Sequence, residues 1–231
     1  MEFYQVVKKR RSARKFTQRA VPAEVMRRAL EAAILAPNSS NMQTWNFYWV
    51  RTPEKRDLLR RYCFNQSAAR EAQELLIVIA DPALWRRSHP VMLKYTEDAQ
   101  APALAKLYYQ RVIPYLYRWG LFNCFVPFKW AINWVIGWFR PINRGPHSRR
   151  DLQEISIKSA ALASENFVLA IEAEGFSSCM MEGHDEHRVK KLIKASSSAR
   201  VVMVIGVGEP SERAQWGPQS RPPLDQVVHE I

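Results

Sequence analysis

The chain has 231 residues, a formal net charge of +12 from 34 Lys and Arg against 22 Asp and Glu, and 47% hydrophobic residues. That composition excludes wholesale disorder and, with 8 Gly and 14 Pro, a collagen-like or low-complexity chain. Cys63, Cys124 and Cys179 lack CxxC spacing, which argues against a disulfide framework or zinc ribbon and for a reducing compartment, the cytoplasm by default.

In chain order, MEFYQVVKKRRSARKF carries a basic run where a signal peptide would place its apolar core. Pro22–Leu35 has Val25, Ala29, Leu30, Ala33 and Ile34 at helical spacing, with Pro22 suited to the first turn. Asn46–Val50 reads as a strand, and Pro53–Phe64 as a helix with Leu58, Leu59 and Tyr62 turned inward. The continuous apolar run Leu75–Ala80, closed by Asp81 and Pro82, marks a buried strand. A basic, proline-bearing stretch follows. Leu152–Ala173 then gives a long helical pattern through Ile155, Ser159, Leu162, Asn166 and Leu169, stopped by Gly175. Ser177–Met181 reads as a short extended piece, Asp185 as the N-cap of a helix to about Lys194, and Val201–Val207 as a second buried strand. The tail from Gln215, with Pro218, Pro222 and Pro223, reads as extended and leaning on something else.

The middle is unusual. Residues 108–139 hold 12 of the 26 aromatics, and the 21 residues Trp119–Phe139 carry one charge, Lys129. Such a stretch is long enough to cross a ~30 Å hydrocarbon core. However, Gly120, Pro127 and Gly137 interrupt it, and Arg118, Arg140 and Arg144 flank both ends without asymmetry. Lys129, Asn133, Gly137 and Arg140 line up as one polar stripe, with Trp130, Trp134 and Trp138 beside it. The expectation is a lid over the active site or a dimer contact, with a membrane-surface element as the alternative.

Three clusters could carry chemistry. Arg10-Arg11-Ser12-Ala13-Arg14-Lys15 gathers cations and a hydroxyl suited to phosphate oxygens, although from these residues alone a solvated basic run is the favoured reading. Pro37-Asn38-Ser39-Ser40-Asn41-Met42-Gln43 is dense in amides able to read an edge of alternating donors and acceptors; by itself it is also an ordinary capped loop. Cys179–His187 contains His184, Asp185 and His187, but no third ligand cluster elsewhere supports a metal. No GxSxG, GxGxxG or P-loop occurs.

In order, RRSARKF, APNSSNMQTWNF, SCMMEGHDEHRV, and VIGVGEP followed by SRPPLDQVV resemble the nitroreductase family of FMN-dependent oxidoreductases, over roughly residues 1–80 and 148–231. The resemblance implies an α+β sandwich with a mostly antiparallel sheet. It also implies one domain over 1–231, with an aromatic insertion at about 105–147, assembled as an intertwined homodimer. It assigns Arg10, Arg11, Ser12 and Arg14 to the FMN phosphate and the pyrimidine edge of the flavin. Pro37, Asn38, Ser39, Asn41 and Gln43 match a loop lent by the partner subunit. Met181, Glu182 and Gly183 match a segment on one flavin face, and Arg221 a phosphate ligand in the tail. Met180, His184 and Gln219 depart from the family pattern. The implied reaction passes a hydride from NAD(P)H through flavin to a small electron-poor acceptor, ping-pong, with no catalytic side chain and no metal. The alternatives are a membrane-associated flavoprotein acting on a lipid-soluble quinone or other hydrophobic substrate, and a basic nucleic-acid-binding module, whose surface would interleave charges with aromatics that here are separated.

Overall fold

In the computed structural model, residues 2–118, 124–143 and 145–231 are described. Four strands form one antiparallel sheet in the order β1-β2-β4-β3: β1 Trp45–Val50, β2 Glu74–Ala80, β3 Ser177–Met181 and β4 Arg200–Gly208. The two central strands are the two apolar runs of the sequence, and their alternation explains why both are continuous. Leu76, Val78, Ala80, Met203, Ile205 and Val207 point to one face, against helices α2 (Ala23–Ile34) and α9 (Arg149–Ala173). Leu75, Ile77, Ile79, Val201 and Val204 point to the other. There they meet side chains from α3 (Pro53–Tyr62), α4 (Ser67–Glu71) and α10 (Glu186–Leu192). A strand covered on both faces has no polar side to display. The α+β sandwich is thus present.

The paired glycines of β4 serve this packing. A Cβ at Gly206 would stand 2.8 Å from the Ala68 carbonyl oxygen, and one at Gly208 would stand 2.8 Å from the Phe16 ring. Only glycine lets α4 and the N-terminal segment come that close.

Helix α9 starts and stops where side-chain chemistry dictates. Ser148 and Asp151 form a capping box: the Ser148 hydroxyl accepts from the Asp151 N–H, and the Asp151 carboxylate accepts from the Ser148 and His147 N–H groups at 3.0 and 2.8 Å. At the other end Gly175 turns left-handed (φ +84°), and the Gly175 and Phe176 N–H groups bond the Glu172 and Ile171 carbonyls, a Schellman close. Burial by itself would raise the Asp151 pKa, but the N–H donors outweigh it and hold the group below its ordinary value. Its contribution is therefore whole above the unfolded pKa, near 3.9, and fades as pH falls through the lower folded value. Ser148→Ala should cost about 0.5–2 kcal/mol. In thermal melts, Asp151→Asn should destabilise at neutral pH and progressively less on acidification; an equal cost at both ends would show that the charge contributes nothing.

Three expectations need correction. Leu58 and Ile34 are exposed, while Leu59 and Met26 take the inward places on their helices. The buried stripe of α9 is Leu152, Ser156, Ala160, Ala163, Phe167 and Ile171; Leu162, expected to lie within the stripe, is 49% exposed. The proline-bearing stretch is largely helix α5, Trp85–Asp98, with Pro90 inside it. Beyond it, Ala103–Leu107 (α6), a π-turn at Tyr108–Val112 and Ile113–Tyr117 (α7) follow one another. Helix α8 (Phe125–Phe139) carries its polar stripe toward the protein, with Lys129 buried and Trp130, Trp134 and Trp138 facing out. Trp119, Gly120 and Arg144, named for this stretch, lie outside the described residues.

Candidate functional site

The N-terminal cations are placed by a short helix and a strand contact. Helix α1 (Phe3–Lys9) ends at Arg10, after which the chain runs alongside β3: Ser12 bridges Ser178, and the Ala13 N–H bonds the Ser178 carbonyl. The Arg14 N–H bonds the Ala214 carbonyl and ties in the tail. Arg14 then lays its guanidinium over Trp216, 4.0 Å from the ring centroid, and Arg11 donates to the Gly217 carbonyl.

A polar cavity of about 310 Å³ results, lined by Arg10, Arg11, Ser12, Arg14, Trp216, Gln219 and Arg221 among others. Four arginines converge there. The nearest carboxylate counter-charge among the described residues is Glu165, 3.9 Å from Arg10 and half exposed. Guanidinium groups gathered with so little neutralisation fit a phosphate monoester, which accepts several charge-assisted hydrogen bonds at once. The donor set therefore fits the phosphate of FMN. Arg10, Arg11, Ser12, Arg14 and Arg221 are thus brought together. Trp216 was not foreseen; its signal was a lone aromatic in a polar tail, five residues before Arg221.

Met181, Glu182 and Gly183 leave the end of β3 next to this segment. Met181 is buried and Glu182 and Gly183 are exposed, with the Gly183 carbonyl fixed by Gln66 Nε2 at 2.8 Å. Asp185 caps α10 by accepting from the Arg188 N–H, so the acid of the would-be metal cluster is spent on the helix. Among the described residues no group of His, Cys, Asp and Glu could hold a metal ion. Burial pushes the Cys63 thiol up to about 12 and raises that of Cys179, against the opposing charge of Arg14. Both stay protonated near neutrality and are poor nucleophiles.

The amide loop stands apart. Pro37–Gln43 leads into β1, the sheet edge opposite β3, so about three strand spacings, roughly 14 Å, separate it from Met181 at the same end of the sheet. The loop is held in a strained form: Ser40, Asn41 and Gln43 are all left-handed, at φ 55°, 52° and 46°. Asn38 accepts from the Gln43 N–H at 2.8 Å, and Asn41 donates to the Met92 sulfur. Ser40 is clasped from outside by the Tyr108 hydroxyl at 2.6 Å and the Tyr109 hydroxyl at 3.2 Å. One chain thus presents a cationic half-site with Met181–Gly183 and, at the other edge, a separate amide loop.

The sequence profile described as Nitroreductase family matches residues 7–209. The chain belongs to the nitroreductase family. Members of this family are FMN-dependent NAD(P)H oxidoreductases. Among curated relatives, protein DrgA of Synechocystis sp. is 28% identical over 96% of this chain and 91% of its own length. An NADH dehydrogenase of Thermus thermophilus is 26% identical over 95% and 91%. A solved structure from Exiguobacterium sibiricum, named as a nitroreductase in complex with FMN, superposes with TM-score 0.71 at 20% identity, covering 100% of this chain and 98% of the other.

Proposed function

We propose that this nitroreductase passes a hydride from NADH or NADPH, through FMN, to a small electron-poor acceptor such as a nitroaromatic or a quinone. The observation that carries this is the convergence of Arg10, Arg11, Arg14 and Arg221 on one polar cavity beside the end of β3. Arg10, Ser12, Arg14 and Arg221 would hold the phosphate, and Met181–Gly183 would lie against the isoalloxazine. When bound, FMN supplies the acceptor and donor of the hydride, so no acid–base side chain is required. Reductant and acceptor would use the same face in turn, which is ping-pong kinetics.

In this reading Pro37, Asn38, Ser39, Asn41 and Gln43 serve the partner's flavin in a homodimer. Two features support it. The loop lies at the edge away from the chain's own arginines, and the tail Gly217–Ile231 is exposed throughout, with Leu224 at 74% and Val227 at 59%. Apolar side chains such as these, left in water, gain by lying on another chain. The cytoplasm would supply the nicotinamide and keep the three free cysteines reduced.

The protein should purify yellow, be bleached anaerobically by NADH or NADPH, and be recoloured by a quinone or nitroaromatic, while sedimenting as a dimer. A flavin-loaded protein that neither nicotinamide bleaches would overturn the activity; a flavin-loaded monomer would overturn the assembly.

A further inference from the structure

Helix α8 is amphipathic in the inverted sense. At about 100° per residue, Lys129, Asn133 and Gly137 fall on one narrow stripe, which faces the protein. The Lys129 ammonium donates to the carbonyls of Tyr115, Leu116 and Arg118, the open C-terminal end of α7, and Asn133 pairs with His147. Burial lowers the Lys129 pKa, as expected of a cation turned inward. The rest of the circumference is apolar and open: Phe128 is 69% exposed, Trp130 57%, Trp138 66% and Phe139 82%. Leu104, Leu107 and Tyr115, from α6 and α7, add to the exposed apolar surface of the same insertion. Between α7 and α8 lies a recess of about 440 Å³, walled by Pro114, Tyr115, Phe125, Phe128 and Ile132 and flanked by Arg111 and Arg118.

The charge pattern decides what covers this face. Residues 99–150 contain eight Lys or Arg and no Asp or Glu. Arg111, Arg118 and Arg140 are exposed around the apolar surface. A symmetric contact between two copies would set these cations against their own kind, with no carboxylate in the segment to pair them. An anionic bilayer surface reverses the sign: it neutralises the arginines, accepts the phenylalanines and isoleucines among its acyl chains, and takes the tryptophans at headgroup level. Among the described residues no helix is long and apolar enough to cross a membrane, so contact would be from one side.

We infer that the α6–α8 insertion is a membrane-docking surface for anionic phospholipid. The recess accepts an acyl chain beneath a headgroup held by Arg111 and Arg118. Its test is independent of turnover.

The purified full-length protein is sedimented with vesicles of phosphatidylcholine alone or with about one third phosphatidylglycerol, at physiological salt. It should bind the anionic vesicles and be quenched by acyl-brominated lipid. Trp130→Gln/Trp134→Gln/Trp138→Gln should lower binding at least about tenfold by removing the buried rings. Arg111→Gln/Arg118→Gln should lower it about twentyfold on anionic vesicles only, since each surface cation multiplies affinity roughly fivefold. Retained flavin and unchanged circular dichroism would show that the variants fold. Failure of the parent to bind anionic vesicles, or undiminished binding by the tryptophan variant, overturns the inference. So does a halving of the assembled mass by the tryptophan substitutions, which would assign the face to a second copy.

Discussion

Replacing Arg14 and Arg221 together by alanine should strip the protein of FMN, raising its Kd more than about a hundredfold. Each guanidinium–phosphate contact is worth about 1.5–3 kcal/mol, so losing two costs about 3 kcal/mol or more. Arg14 has a second task, since its stack on Trp216 holds the start of the tail over the cavity that Arg221 completes. Arg14→Lys would keep the charge but not the planar fork that stacks and binds bidentately, so it should fall between the parent and Arg14→Ala. Fluorescence titration of the apoprotein with FMN measures this. A double variant that binds FMN as tightly as the parent would place the phosphate elsewhere.

Phe167→Ala should be the most destabilising single core change, at about 3–5 kcal/mol. Phe167 is fully buried in the cluster where α9 meets α2 and the sheet, among Met26, Ile171, Phe176, Met203 and Ile205. These neighbours come from two helices, a strand and the turn after α9, and cannot collapse together into the space left behind. Against a total stability of 5–15 kcal/mol typical of such proteins, the loss is a large share. Denaturant unfolding of the flavin-loaded protein reads it directly. A loss below about 1 kcal/mol would mean that the core repacks, contrary to its composition.

What could be read from the sequence followed local physics. The two strand runs, the Gly175 stop and the Asp185 cap each depend on neighbours within a few residues, and all are in place. The inward face of α9 was hidden because three serines lie on it. Ser156, Ser159 and Ser164 bond the carbonyls four residues back, silencing their hydroxyls, so they pack as small core residues. Helix α5 was missed because Pro90 and its basic residues look like a breaker. For α8 periodicity located the stripes correctly. It cannot say which stripe faces inward, because that depends on the partner, here the carbonyl end of α7 that Lys129 satisfies. The arginine cluster was legible as residues but not as a cavity, since Arg14 and Arg221 meet only through the fold.

The grip of Tyr108 and Tyr109 on Ser40 makes the shape of the amide loop depend on the aromatic segment. Three non-glycine residues in left-handed backbone cost of order 1 kcal/mol or more each, and they persist only where their surroundings hold them. Part of that hold comes from the start of the aromatic segment, through two phenolic hydroxyls. The aromatic outer helix could be shortened without touching the amide loop, but a chain cut back past Tyr109 would need a new clamp for Ser40. The aromatic segment therefore divides at Tyr109 into an outer surface that touches nothing in the amide loop and a root whose hydroxyls set that loop's backbone.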